Sequence, residues 1–229
     1  MPIRTLLYLL VICSSPALAF NPAHVEQLRI TGVCVGCDLS DYVFPHGADL
    51  RRADLSSANL SRATLEEAKL DGANLKGAIL SGTNMAKSSL IGSNLVDANL
   101  ESVRLEQAIL TTANFTAASL SHANLSGAFA QRSIMAKANL SHANLTGAKL
   151  SRANLNDAIL IGTNLKGANL INSSFVRANL TDANLEDTLL NSTNFSKANL
   201  SRADLRGAYI QKTNLEGATL TDAKGLRRF

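Results

Sequence analysis

The sequence contains no tryptophan, and aromatic residues make up only 4% of its 229 residues. Hydrophobic residues nevertheless reach 46%, and most of this apolar mass is leucine and alanine. A core built from so few residue types is typical of a repetitive structure rather than an irregular globule.

Blocks of like charge are also missing. The 22 lysines and arginines are mixed with 18 aspartates and glutamates, and the formal net charge is +4. Nucleic-acid-binding arms carry clustered basic residues, and a protein that mimics DNA needs dense acidity. We therefore expect no nucleic-acid partner.

No hydrophobic run is long enough to cross a membrane. The longest candidate, residues 6–13, follows Arg4 and is too short for a hydrocarbon core of about 30 Å. It ends before Ser14-Ser15-Pro16 and an Ala17-Leu18-Ala19 motif. This order predicts a secretory signal peptide over residues 1–19 that is cleaved after Ala19. We expect an exported protein of the periplasm or the thylakoid lumen, with no membrane span in the mature chain.

Catalytic motifs are absent as well. The sequence shows no pairing of a nucleophile with a base, no convergent metal-binding cluster and no glycine-rich phosphate loop. His24 and His46 occur singly near the N-terminus. The sequence therefore predicts a protein that is not an enzyme and that uses no cofactor or metal.

Residues 20–36 are predicted to form an N-terminal cap. Asn21 suits a helix N-cap and Pro22 suits the first helical position. Val25 and Leu28, with Ile30 as a further candidate, are expected on one side of a short amphipathic helix. Such a helix would cover apolar side chains and unpaired backbone groups at the start of a repeat structure.

Cysteine is scarce: Cys13 lies in the predicted signal peptide, and Cys34 and Cys37 form a Cys-Val-Gly-Cys motif. In an exported protein, two nearby thiols favour a disulfide. The alternatives are a redox-sensitive bond, free thiols or a metal contact. A c-type haem site would need histidine at Asp38, and a structural zinc site would need more ligands. A disulfide would tie the cap to the first coil, because Cys37 occupies an inward small position.

The dominant feature is a five-residue repeat. It begins irregularly at Cys37, and Gly47 is a one-residue insertion before strict register starts at Ala48. From there to Asp222, 35 units follow in one register. Leucine fills most positions that are multiples of five, here called centres, and alanine fills most positions two before them.

A period of five fits neither an α-helix nor a flat strand. On a helix the apolar stripe would rotate by about 140° with each repeat. On a strand, alternation cannot persist over an odd period unless the chain turns. A chain that turns after every five residues places one large and one small residue inside, and four such sides close a coil of 20 residues. Thirty-five units predict nearly nine coils stacked about 4.8 Å apart.

The Ala-(Asn/Asp)-Leu-x-x units resemble the pentapeptide-repeat family. The segment 24–28 and the motif Cys34-x-x-Cys37-Asp38-Leu39-Ser40 also resemble the start of exported, cyanobacterial-type members. The resemblance implies an all-β solenoid, a right-handed quadrilateral β-helix, over residues 37–222. Residues 223–229 are predicted to form a minimal lid, with Leu226 and Phe229 over the last coil.

One side of the predicted coil departs from the rest; we call it the variable side. Its centres are residues 50, 70, 90 and so on to 210. Asparagine or aspartate precedes most centres on the other sides, whereas apolar residues flank several centres here. These residues form a candidate interaction face, although drift or local packing around Ala130 would also explain them. They are Ile91, Ile109, Phe129, Ile171, Leu189 and Tyr209.

The repeat also places His122 and His142 at equivalent positions of neighbouring coils. A two-histidine metal contact lacks a third nearby ligand, so we interpret the pair as a product of repeat duplication. The sequence as a whole favours a structural or interaction scaffold with an unknown protein partner, as a monomer or weak dimer. The alternatives are a redox-responsive factor switched by Cys34 and Cys37 and, less favoured, a topoisomerase-protecting DNA mimic.

Overall fold

The computed structural model describes residues 20–226. The predicted signal peptide lies outside the described residues, as does Phe229 of the predicted lid. Among the described residues one helix, α1, spans Pro22–Thr31. No helix in this part of the chain is both long and apolar enough to cross a bilayer.

Helix α1 begins with the predicted N-cap and ends at a glycine C-cap. The Asn21 side chain accepts a hydrogen bond from the Ala23 N–H at 3.0 Å, and Pro22 follows the cap. At the other end, Gly32 adopts φ 68°, and its N–H donates to the Leu28 carbonyl at 2.9 Å. A left-handed residue is needed at this position, which favours glycine.

After α1 the chain forms a parallel β-solenoid. Each side contributes one bridging residue, then the inward centre residue and a two-residue turn. The bridges join residue i to residue i+20, so four repeats make one coil. Three hydrogen bonds per repeat connect neighbouring coils, as around Leu145: Asn144 N–H to the Ala123 carbonyl, Leu145 N–H to Asn164 and Gly147 N–H to Lys166, at 2.7–2.9 Å.

The coil register changes at Gly47. The first three bridges, which start at Val33, Asp38 and Val43, span 21 residues. From Asp49↔Lys69 onward the spacing is 20. Gly47 therefore is the one-residue insertion that the sequence indicates. Pairing between coils starts at Val33. In the sequence the repeat becomes visible only at Cys37, four residues later.

The interior consists of stacked columns of centre residues. Nearly all centres from Leu55 to Leu205 have no accessible surface. Phe175 and Phe195 lie one coil apart with their rings stacked and their centroids 5.0 Å apart. Serine and threonine at the small position are buried but paired, as in the 2.8 Å bond from Thr163 Oγ1 to the Leu140 carbonyl.

The corners explain the polar half of the repeat. Asparagine before a centre often accepts from the N–H two residues later, as Asn124 does from Ser126 at 3.1 Å. The second corner residue is left-handed throughout the coils, at φ near 60°. Twelve of these corner positions are glycine, but many are not, and Thr112 has φ 57° despite its branched Cβ. Such backbone is strained for residues other than glycine.

The two ends of the solenoid are covered unequally. Leu28 is buried and Val25 packs against the core, as expected for the cap. Ile30 does not join them, because it lies two residues beyond Leu28 on the other side of the helix and is 67% exposed. At the far end, Leu226 packs against the core but remains partly exposed, as do Leu215 and Leu220.

We predict that Leu145→Asp abolishes the cooperative fold. A charge without a partner in this dry column costs several kcal/mol, which is comparable to the stability of a whole domain. Circular dichroism during heating will measure the loss. Leu145→Met is the control, because it keeps the volume and should cost under about 1.5 kcal/mol. A cooperative Asp variant that melts near the parent temperature would contradict the column structure.

A second prediction tests the backbone strain of the left-handed corner residues. Thr112→Gly should stabilise the protein by about 1 kcal/mol, because glycine removes the left-handed penalty of a branched residue. Gly147→Thr should destabilise it by a similar amount, since a Cβ at Gly147 meets nothing within 4 Å and only the backbone is tested. Urea denaturation measures both. Changes of the same sign would show that side-chain contacts, not corner geometry, decide the effect.

Candidate functional site

The N-terminal cap is held to the first coil by a compact set of polar contacts. Cys34 and Cys37 lie at disulfide distance, with S–S 2.03 Å and Cα atoms 5.3 Å apart. Both are buried, with 0% and 3% of their surface exposed. The bridge between Val33 and Asp54 places Cys34 in line with the Leu55 column. The Cys pair therefore joins two inward positions of the coil itself.

His24 connects α1 to that coil. Its Nδ1 accepts a hydrogen bond from the Asp38 N–H at 2.9 Å. The His24 carbonyl lies 3.2 Å from the Cys34 sulfur, and the Asn21 N–H donates to the Asp38 carbonyl at 3.0 Å. The link between helix and coil thus uses His24 and Asn21, whereas the sequence suggested the cysteines for it. The sequence gave little indication of this role, because His24 is a single histidine ten residues before Cys34.

A pocket of about 560 Å³ remains beside the cap, where the variable side begins. Leu28, Tyr42, Phe44 and Leu50 line it. The pocket exists because the column of bridged residues on the variable side begins only at Asp49. Helix α1 covers the N-terminal end of this column only in part. At its rim, Arg51 forms a salt bridge with Asp49. Hydrogen bonds from Arg51 lower the pKa of Asp49 to about 2.

The variable side carries two pairs of stacked apolar side chains. Bridges join Ile109 to Phe129 and Leu189 to Tyr209, so the members of each pair lie on consecutive coils. Lys149 and Asn169 separate the two pairs. Phe129 is 44% exposed and Tyr209 65% exposed, whereas Leu189 is half-buried.

The other two residues of the predicted interaction face lie at the edge of the variable side. Ile91 and Ile171 follow their centres and therefore occupy a corner beside the flat side. Ile91 is exposed, and Ile171 is half-buried. The structure thus brings four of the six residues together as two pairs and places the remaining two at the margin.

Exposed isoleucines also occur on other sides, and the sequence reasoning missed them. Ile79, Ile134 and Ile159 are 39–42% exposed. Each occupies the position before a centre. A search for apolar residues at that position on all four sides would have found them. Each is bridged to asparagine on both neighbouring coils. Stacking of apolar residues, not their mere exposure, is what distinguishes the variable side.

His122 and His142 stack as the repeat predicts. Their ring centroids are 5.3 Å apart and their planes differ by 15°. The neighbouring position on the next coil is Gly162, where an added Cβ would lie 2.8 Å from His142 Nδ1. Over residues 20–226, no group of three side chains suited to metal binding comes together.

Ion pairs run from coil to coil along the corners. Arg177 pairs with Asp157 at 2.6 Å, and Arg202 pairs with Asp182 at 2.7 Å. The arginine hydrogen bonds lower the pKa of both aspartates. These pairs are largely exposed and contribute little to stability. Lys166 and Glu186 form a similar link at 2.9 Å.

A model for the family of pentapeptide repeats matches residues 48–86, 68–107, 113–152, 148–187 and 183–222. Four bridged sides per coil and a filled interior define a four-sided β-solenoid of this class. The chain belongs to the pentapeptide-repeat family, whose fold is the right-handed quadrilateral β-helix. No curated protein matches the chain.

Several solved structures are similar to it. HetL, a pentapeptide repeat protein involved in heterocyst differentiation regulation in the cyanobacterium Nostoc, is 30% identical, with 89% of this chain and 96% of HetL covered and a TM-score of 0.41. QnrB1, a plasmid-mediated fluoroquinolone resistance protein, is 20% identical over 80% of this chain and 91% of its own, with a TM-score of 0.53. A pentapeptide repeat protein of the Arabidopsis thaliana thylakoid lumen is 26% identical. The match covers 49% of this chain and 70% of that protein, with a TM-score of 0.22.

We predict that reduction of Cys34 and Cys37 costs about 2 kcal/mol, because the bond closes only a short loop. Urea denaturation with and without dithiothreitol measures this, in a chain that begins at Phe20. A Cys34→Ser/Cys37→Ser variant should match the reduced protein and should no longer respond to reductant. Thiols that react with Ellman's reagent before reduction would contradict the pairing.

Proposed function

We propose that this protein is a non-enzymatic scaffold that binds another protein through its variable side. The observation that carries the proposal is the pairing of apolar residues on consecutive coils at Ile109–Phe129 and Leu189–Tyr209, of which all but Leu189 are exposed. Stacked pairs give a partner continuous apolar area, which single exposed isoleucines do not. Aromatic residues of this kind dominate the binding energy of many interfaces.

The interior of the solenoid supports a binding role over a catalytic one. Centre residues and their small neighbours fill the columns and are almost completely buried. Ligand sites in proteins are usually concave and partly apolar, with a few converging polar groups. Here the chemistry available to a partner lies on the outer surface. We therefore infer that specificity comes from which residues occupy the outward positions.

We infer further that the protein acts in an exported compartment, the periplasm or the thylakoid lumen. The support is the signal-peptide pattern of residues 1–19 and the close approach of Cys34 and Cys37. A stable disulfide suits an oxidising compartment. The burial of both sulfurs favours a structural bond over a redox switch, because reductants need access to sulfur.

We predict that Phe129→Ser/Tyr209→Ser lowers partner recovery at least about tenfold, because both exposed aromatic anchors are removed. Crosslinking and affinity pull-down from the native envelope or lumen, read by mass spectrometry, measure recovery. Size-exclusion chromatography with light scattering tests in parallel whether the face joins two copies.

Ile79→Ser/Ile159→Ser is the matched control, since it removes two exposed apolar residues from another side. Its recovery should stay within about twofold of the parent. If both double variants retain the same partners and the same mass, the variable side is not the binding surface.

A further inference from the structure

The middle of the variable side is cationic as well as apolar. Lys149 is exposed on the flat side, between Phe129 and Asn169 in the bridged column. Arg132 and Arg152 are exposed at the adjoining corner, at equivalent positions of neighbouring coils. A shallow groove of about 490 Å³ runs along this corner, lined by both arginines and Ile171.

These arginines differ from most others on the solenoid. Arg62, Arg177 and Arg202 each pair with an aspartate one coil earlier, at 2.6–2.7 Å. The column of Arg132 and Arg152 instead contains Thr112 before them and Asn172 after them. Within residues 20–226, neither guanidinium forms a salt bridge with a carboxylate, and the same is true of Lys149.

Two like charges on neighbouring coils repel each other. A carboxylate placed between Arg132 and Arg152 would relieve this repulsion and form charge-assisted hydrogen bonds with both. Thr111 and Gln131 line the same groove and add further polar contacts. The groove therefore favours an acidic group from outside this chain.

The flat side restricts how a partner binds. Backbone groups there are already paired between coils; Ile109, for example, donates to the Ser88 carbonyl at 2.9 Å and accepts from the Leu90 N–H at 2.7 Å. A partner strand cannot extend the sheet at this place, so side chains must provide recognition. The side from Ile109 to Tyr209 covers six successive coils, or about 24 Å, which matches about eight residues of extended peptide.

We propose that the partner of the variable side is an extended protein segment in which acidic and large apolar residues occupy every second position in turn, so that both kinds of side chain face the solenoid. Its carboxylates bind Arg132, Arg152 and Lys149, and its apolar side chains pack on Ile109 and Phe129. This inference rests on the proposed scaffold function and specifies the partner's chemistry. Anionic lipid is less favoured, because a groove that lines its two arginines with amide and hydroxyl groups suits discrete carboxylates better than a continuous charged surface.

The test uses a fluorescein-labelled peptide in which Glu and Leu are separated by Ser, with a Lys-for-Glu peptide as its counterpart. Fluorescence anisotropy with the mature protein should show saturable binding of the acidic peptide only. Raising NaCl from about 0.05 M to 0.5 M should weaken it, since exposed charges are screened. Arg132→Glu/Arg152→Glu should weaken it at least about tenfold, and Phe129→Ser should weaken it further.

Lys76→Glu/Lys197→Glu is the matched control. Both lysines are exposed on another corner, and neither forms a salt bridge among residues 20–226, so the net charge changes equally. Its affinity should stay within about twofold of the parent. Equal weakening in both charge-reversal variants, or absence of saturable binding by the acidic peptide, would overturn the proposal.

Two further results separate this proposal from its alternatives. Phosphatidylglycerol vesicles that bind the parent but not Arg132→Glu/Arg152→Glu, while the acidic peptide does not bind, would identify a membrane surface and overturn the inference. A partner recovered equally by the parent and by Arg132→Glu/Arg152→Glu would leave the scaffold function intact and refute the acidic segment.

Discussion

The narrow interior of the solenoid is the constraint on which the rest of the structure depends. Each five-residue side must contribute one large and one small inward group, because the coil has no room for two large ones. Leu145 and Ala143 fill their places with almost no exposed surface. The same stacking pairs backbone N–H and C=O groups of neighbouring coils. One periodic arrangement therefore satisfies both the packing of the core and the hydrogen bonding of the backbone.

The corners give the protein its freedom to vary. They require a left-handed residue, yet arginine, histidine, aspartate and threonine all occupy this position besides glycine. The penalty of about 1–2 kcal/mol per residue is offset by coil pairing on both sides. Corner side chains consequently differ from coil to coil without disturbing the core. Paired corners such as Arg177–Asp157 and unpaired ones such as Arg132 use the same backbone.

The start of the solenoid shows where periodic reasoning stops. The insertion at Gly47, the helix N-cap at Asn21 and the inward place of Cys37 follow from residue type and spacing. The role of Cys34 in the Leu55 column does not, because residues before the strict repeat have no register of their own. His24 is similar: its hydrogen bond to Asp38 depends on how α1 docks, which no local pattern encodes.

By itself the sequence determined the five-residue sides and their inward residues, because a chain with a period of five must turn in every unit to bury leucine and alanine together. With the four sides that the family resemblance implies, it also assigned each outward residue to a column. It also placed Ile109 beside Phe129. Only the tertiary structure decided that Leu189 and Ile171 are half-buried, that Ile30 is exposed, and that Arg132 and Arg152 lack the carboxylate partner that Arg177 has. The physical reason is that exposure and ion pairing depend on side chains 20 residues away, whose length and direction the repeat does not specify.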